Sequence, residues 1–162
     1  MKKPCVLWIE DNARFELRNL VGPLLFSGKF EFSLAEDITT AVNFLRVKEF
    51  AGVIVDIRLP PGIDPAWRKL YQQSGSDRVH AQLGMKLLYW LLDKDRSVHP
   101  ESPPRWIKPQ NIGVFTVESK GEIQKHLDEL GITIFKQKSA GLRDTTLLEL
   151  IDQILEQATM QA

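Results

Sequence analysis

The sequence predicts an α/β domain with a doubly wound parallel sheet, and three observations predict it. Five short apolar runs alternate with five stretches of helical periodicity, the order expected of parallel strands joined by right-handed helical crossovers. The run Val53-Ile54-Val55 is unbroken, as a strand buried on both faces requires. Acidic or hydroxyl side chains follow directly after several runs, at the strand edge where open α/β sheets place their ligands.

In chain order, Val6-Leu7-Trp8-Ile9 reads as the first buried strand and ends in Glu10-Asp11. Leu17, Leu20, Val21 and Leu24 then fall at i, i+3, i+4 and i+7, predicting a first helix whose end is bent or shortened by Gly22-Pro23. Phe30-Glu31-Phe32-Ser33-Leu34 alternates as a half-buried strand does, and Ile38, Ala41, Val42 and Leu45 carry a second helix capped by Asp37 or a neighbour. After Asp56 comes the turn Leu59-Pro60-Pro61-Gly62, followed by residues 63–83, which have no clear period. Gly84, Leu87, Leu88, Leu91 and Leu92 predict the third helix, with Tyr89 and Trp90 on its flanks. We expect residues 63–83 to fold back, laying Trp67 and Tyr71 against Tyr89 and Trp90; the alternative is a partner surface.

Pro100, Pro103, Pro104 and Pro109 exclude a persistent helix or central strand before residue 112. The fourth strand is residues 112–117, holding Thr116 near its end, and Ile123, Leu127 and Leu130 carry the fourth helix up to Gly131 as its C-cap. Ile132-Thr133-Ile134-Phe135 is the fifth strand, and Leu147, Leu150, Ile151, Ile154 and Leu155 carry the last helix.

At 162 residues the chain is the size of one domain. We expect a single unit, residues 1–162, with insertions at about 61–83 and 94–110 that rest near the third helix rather than in the core. Its 21 basic and 21 acidic side chains cancel, removing the positive field that non-specific nucleic-acid binding needs. One cysteine, Cys5, excludes an intrachain disulfide and a cysteine-based zinc site. The apolar run after Lys2-Lys3 is too short for a secretion signal or a membrane span. A cytoplasmic protein is expected, acting on neither nucleic acid nor membrane.

In a sheet of order 2-1-3-4-5, the strand ends would bring Glu10, Asp11, Asp56, Thr116 and, just beyond the fifth strand, Lys138 to one edge. Each taken alone has a bland reading: a helix cap for Glu10-Asp11, a turn-capping acid for Asp56, an ordinary strand threonine, a solvated lysine. Together and in this order they resemble the receiver domain of two-component response regulators, a flavodoxin-like (βα)5 fold. Glu10-Asp11 matches that family's acidic pair, Asp56 with Pro60 its phosphoacceptor stretch, Thr116 its hydroxyl position, Phe135 its switch aromatic and Lys138 its lysine. The 22-residue step from Thr116 to Lys138 chooses Lys138 over Lys136, because the family's chemotaxis regulator aligns there without a gap.

The resemblance implies that Glu10, Asp11, Asp56 and the backbone carbonyl of Arg58 hold Mg²⁺, a hard ion that takes oxygen ligands. Asp56 would then accept a phosphoryl group from a histidine kinase or phosphotransfer protein, with Lys138 offsetting charge. Thr116 would move to the phosphoryl oxygens, Phe135 would turn inward, and an altered face would bind an output protein. The family's place for tuning water access is taken by Arg58 and Glu118, which we expect to pair across the mouth and lengthen the phosphate's lifetime. Val117 replaces the usual Ala or Gly and would crowd the pocket, and Ser139 replaces the usual proline.

Three functions compete. The first is a stand-alone switch acting through a partner, since no second domain is expected after the last helix; it leaves homodimerisation open and is not an enzyme. The second is a receiver-like docking or dimerisation module that takes no phosphate. The third, a metal-dependent phosphatase or nuclease, is disfavoured because Arg58 stands where haloacid-dehalogenase enzymes carry a second acid.

Overall fold

The computed structural model describes residues 2–160. Strands β1 (Cys5–Ile9), β2 (Glu31–Ala35), β3 (Gly52–Val55), β4 (Ile112–Thr116) and β5 (Ile134–Gln137) form one all-parallel sheet of order β2-β1-β3-β4-β5. This is the predicted architecture. The central strands are apolar on both faces because both are covered, and strand pleating sends alternate side chains to two separate cores. Leu7, Ile9, Val53, Val55, Ile112 and Val114 point to one, whereas Val6, Trp8, Ile54, Phe115 and Ile134 point to the other.

The second core is closed by α1 (Val21–Ser27) and α7 (Thr146–Met160), through Leu24, Leu147, Leu150, Ile151 and Ile154. The first is closed by α2 (Ile38–Val47), α5 (Leu83–Leu91) and α6 (Lys120–Leu130), together with the inserted α3 (Pro65–Gln73) and α4 (Arg78–Ala81). The cap on α2 is Asp37, whose carboxylate accepts from the Thr40 N–H at 2.7 Å. Ser119 starts α6 in the same way, and Gly131, at φ +74°, ends it.

The first helix differs from expectation. Its apolar stripe is real, with Leu20 and Leu24 buried, but it is split between a 3₁₀ turn (Arg18–Leu20) and α1. Gly22 and Pro23 lie in the first turn of α1 and not at its end, because proline fits only where a helix needs no backbone donor. The fifth strand begins at Ile134, two residues later than predicted, and runs to Gln137, so that Lys138 follows it at once.

The insertions also correct an expectation, since they supply core rather than rest beside it. Trp67 is fully buried, and Val98 and Ile107 from the proline-rich connection are nearly so. Trp67 meets Trp90 edge to face at 5.8 Å, as the fold-back predicted, and His99 lies against both rings. His99 Nε2 is 2.9 Å from Asp64 Oδ2, and Asp64 also caps α3 by accepting from the Ala66 N–H. Tyr71 packs on the same core, but Tyr89 turns to α6, its hydroxyl 2.8 Å from His126 Nδ1 and donating to Glu129 at 2.5 Å. The proline-rich connection forms only a 3₁₀ turn (Pro109–Asn111) before β4.

Candidate functional site

The parallel register delivers the charged residues to one edge. Ile9 pairs with Val55, and Val55 with Val114, so Glu10, Asp56 and Phe115 are level at the carboxyl ends of β1, β3 and β4. Glu10 is fully buried, Asp56 nearly so, and Asp11 partly exposed at the rim. One carboxylate oxygen from each of Glu10, Asp11 and Asp56 lies within 4.8 Å of the others. Three acids cannot share such a space without compensation.

Lys138 supplies part of it. Its ammonium donates to Asp56 Oδ2 at 3.0 Å and is ion-paired with Glu10. Lys138 is fixed at both ends: its backbone N–H donates to the Thr116 carbonyl at 2.7 Å, and Nζ lies 5.6 Å from the Phe115 ring centroid. Burial, with the Asp56 carboxylate beside it, pushes the Glu10 carboxyl up to about 7, against the opposing pull of Lys138 and the Asn12 N–H.

The loop after β3 is held from behind by α5. Gly84, in the first turn of α5, donates its N–H to the Ile57 carbonyl at 3.0 Å. A Cβ there would stand 1.9 Å from the Asp56 carbonyl oxygen and 2.7 Å from Ile57 Cα, so only glycine permits this approach. At the mouth, Arg58 Nε donates to Glu118 Oε1 at 2.7 Å, the pairing expected from sequence. That bond raises Arg58; burial pushes Glu118 up, but the Arg58 bond and charge together with the bonds from Glu122 and Gln82 outweigh it and hold the carboxyl below its ordinary value.

Thr116 is fully buried at the end of β4, its Oγ1 3.5 Å from the Glu118 N–H, and Phe135 is half-buried on β5 against the first core. Val117 lines a cleft of about 430 Å³ with Asp11, Asp56, Arg58, Arg78 and Lys138. Of these, Arg78 was not singled out in the sequence. It comes from α4 and is ion-paired with Asp11. No periodicity or motif marks it, and the contact depends on how the insertion folds.

The donor set is one a hard divalent ion accepts: three carboxylates, two of them withdrawn from water, and no sulfur or imidazole. The arrangement can hold such an ion and place a nucleophilic carboxylate next to an ammonium.

No family model matches the sequence, and no curated protein matches it. Solved structures do. A CheY-like response regulator receiver domain protein from Methanospirillum hungatei superposes with a TM-score of 0.62 at 17% identity, covering 99% of this chain and 100% of that one. The non-phosphorylated HemR receiver domain from Leptospira biflexa gives 0.59 at 20% identity, with 94% of each chain covered. The phosphorylated cyanobacterial phytochrome response regulator RcpA gives 0.57 at 17%, covering 95% of this chain and 90% of that one. The superpositions, the strand order and the parallel register agree: the fold of this chain is that of response regulator receiver domains.

Proposed function

We propose that the chain is a phosphoacceptor switch, in which Asp56 takes a phosphoryl group from a phosphohistidine on a kinase or phosphotransfer protein. The observation that carries this reading is the contact of Lys138 Nζ with Asp56 Oδ2 at 3.0 Å, inside a cluster of three carboxylates at the sheet edge. An Asp56 carboxylate oxygen would attack phosphorus in line, forming an O–P bond as the N–P bond to imidazole breaks, and the leaving imidazole would keep the electron pair. Lys138 offsets charge on the incoming oxygens and holds Asp56 in its rotamer. Glu10, Asp11 and Asp56, with the Arg58 carbonyl, would hold Mg²⁺, which supplies further charge neutralisation when bound.

Thr116 ends β4, the neighbour of the acceptor's strand, and Phe135 stands one strand further out on β5, where a hydroxyl and then an aromatic ring can follow a newly placed phosphoryl group. Arg58 and Glu118 close the mouth against hydrolytic water. The output is the binding of a protein partner and not turnover of an external substrate. No helix of the described residues is long and apolar enough to cross a membrane.

The test is incubation with Mg²⁺ and phosphoramidate, read by intact mass for the parent and for Asp56→Asn. A phosphate-sized gain confined to the parent is expected. No gain in either protein would favour the docking or dimerisation module instead.

A further inference from the structure

The charge balance of the cluster is divided between two cations of different origin. Lys138, just past β5, serves Glu10 and Asp56. Asp11 is served by Arg78, 67 residues away on the inserted α4. Arg78 heads a four-residue helix bounded on both sides by non-glycine residues in the left-handed region, Ser76 at φ +54° and Gln82 at φ +44°. Side chains adopt that region at a cost, so this segment is held in place by its contacts rather than by its own backbone preference. Ala81 is buried, Asp77 caps the Val79 N–H, and Gln82 Nε2 reaches Glu118 Oε1 at 3.4 Å.

A guanidinium and a divalent ion both seek the Asp11 carboxylate, and both are positive. Neither can approach it fully while the other is engaged. We propose that Arg78 is a built-in competitor for the divalent ion, so that seating of α4 over the site and metal binding at Asp11 exclude one another. The insertion is then a flap whose closed position is the metal-free one, and loading the site releases it. Because Gln82 sits at the other end of α4 and touches Glu118, release also loosens one support of the Arg58–Glu118 pair. The proposal rests on the metal-binding part of the phosphoacceptor reading.

Mn²⁺ is the probe, counted by electron paramagnetic resonance of the free ion, with the parent chain, Arg78→Ala and Arg78→Lys, each checked by a thermal melt. The pair is partly exposed, and such pairs stabilise by up to about 1 kcal/mol, so Arg78→Ala should bind Mn²⁺ roughly two to five times more tightly than the parent. Arg78→Lys should stay near the parent. Hydrogen exchange over residues 76–82 should quicken when Mn²⁺ is added to the parent, and in Arg78→Ala it should be fast without metal. Equal or weaker binding by Arg78→Ala overturns the proposal, as does exchange that ignores Mn²⁺ in the parent. If none of the folded proteins binds Mn²⁺, the metal site itself falls, and the competition with it.

Discussion

Lys138 Nζ lies 3.0 Å from Asp56 Oδ2, although 82 residues separate them in the chain. Their strands, β3 and β5, lie on either side of β4, and two helical crossovers, through α5 and α6, bring the strand ends to one edge; the same ammonium also pairs with Glu10. One cation thus holds two buried acids that repel each other. The arrangement is costly in stability and useful in chemistry, since a buried charge cluster is retained only where packing around it enforces it.

The cost should be visible in the pH dependence of folding. Burial and Asp56 raise Glu10 to about 7 in the folded protein, above its ordinary value of 4.5. The folded state therefore holds a proton that the unfolded state has lost between these pH values, and stability falls as pH rises through that window. Glu10→Gln removes the titrating group. In metal-free urea melts the parent should lose on the order of 2 kcal/mol from this group between pH 5 and pH 8, and the variant should show a flatter profile. Equal slopes would contradict the assignment.

The glycine behind the loop after β3 is a point of close backbone approach. A methyl group at Gly84 overlaps the Asp56 carbonyl, and both contacting groups are backbone. Gly84→Ala should destabilise the fold by about 1–3 kcal/mol by overpacking, measured in urea, and slow phosphorylation by displacing Asp56. An unchanged melt with unchanged labelling would show that α5 can withdraw freely.

At the mouth, Arg58→Ala removes the partner of Glu118 and opens the approach to the acceptor. Glu118 is buried and Arg58 only partly exposed, so the variant leaves a buried carboxylate with Gln82 as a remaining side-chain partner, and the melt should fall by about 1–3 kcal/mol. The phosphorylated form should decay several-fold faster than the parent, followed by intact mass after removal of the donor. Decay no faster than the parent would rule out a gating role.

The insertion is integral to the core, and Trp67 shows how far. Its ring is fully buried against Trp90 and His99. Trp67→Ala should cost about 3–5 kcal/mol. In the parent, acrylamide should quench Trp106, the partly exposed indole, far more than Trp8, Trp67 and Trp90. Uniform quenching would mean that the insertion does not stay folded back.

The sheet was legible because its information is local and periodic. Val53-Ile54-Val55 between charged and glycine-bearing turns reads as a doubly covered strand, and Asp37 and Gly131 punctuate helices by their own chemistry. The placement of Arg58 against Glu118 was legible through the resemblance, which puts both at the positions where receiver domains tune water access. The start of α1 was not, since an apolar stripe does not distinguish a 3₁₀ turn from the α-helix it enters. Tyr89 was assigned the wrong neighbour because the flank of α5 faces both the insertion and α6, and periodicity cannot say which ring meets which. Arg78 and Gly84 act through approaches between segments distant in sequence, which no spacing along one chain reveals.

The central claim is that the Asp56 carboxylate receives the phosphoryl group. Borohydride reduces an aspartyl phosphate to homoserine, so treating the phosphorylated chain and sequencing its peptides by mass spectrometry places the modification directly. The account predicts homoserine at position 56 and nowhere else. A labelled protein in which position 56 remains aspartate, or in which another residue carries the change, would contradict it.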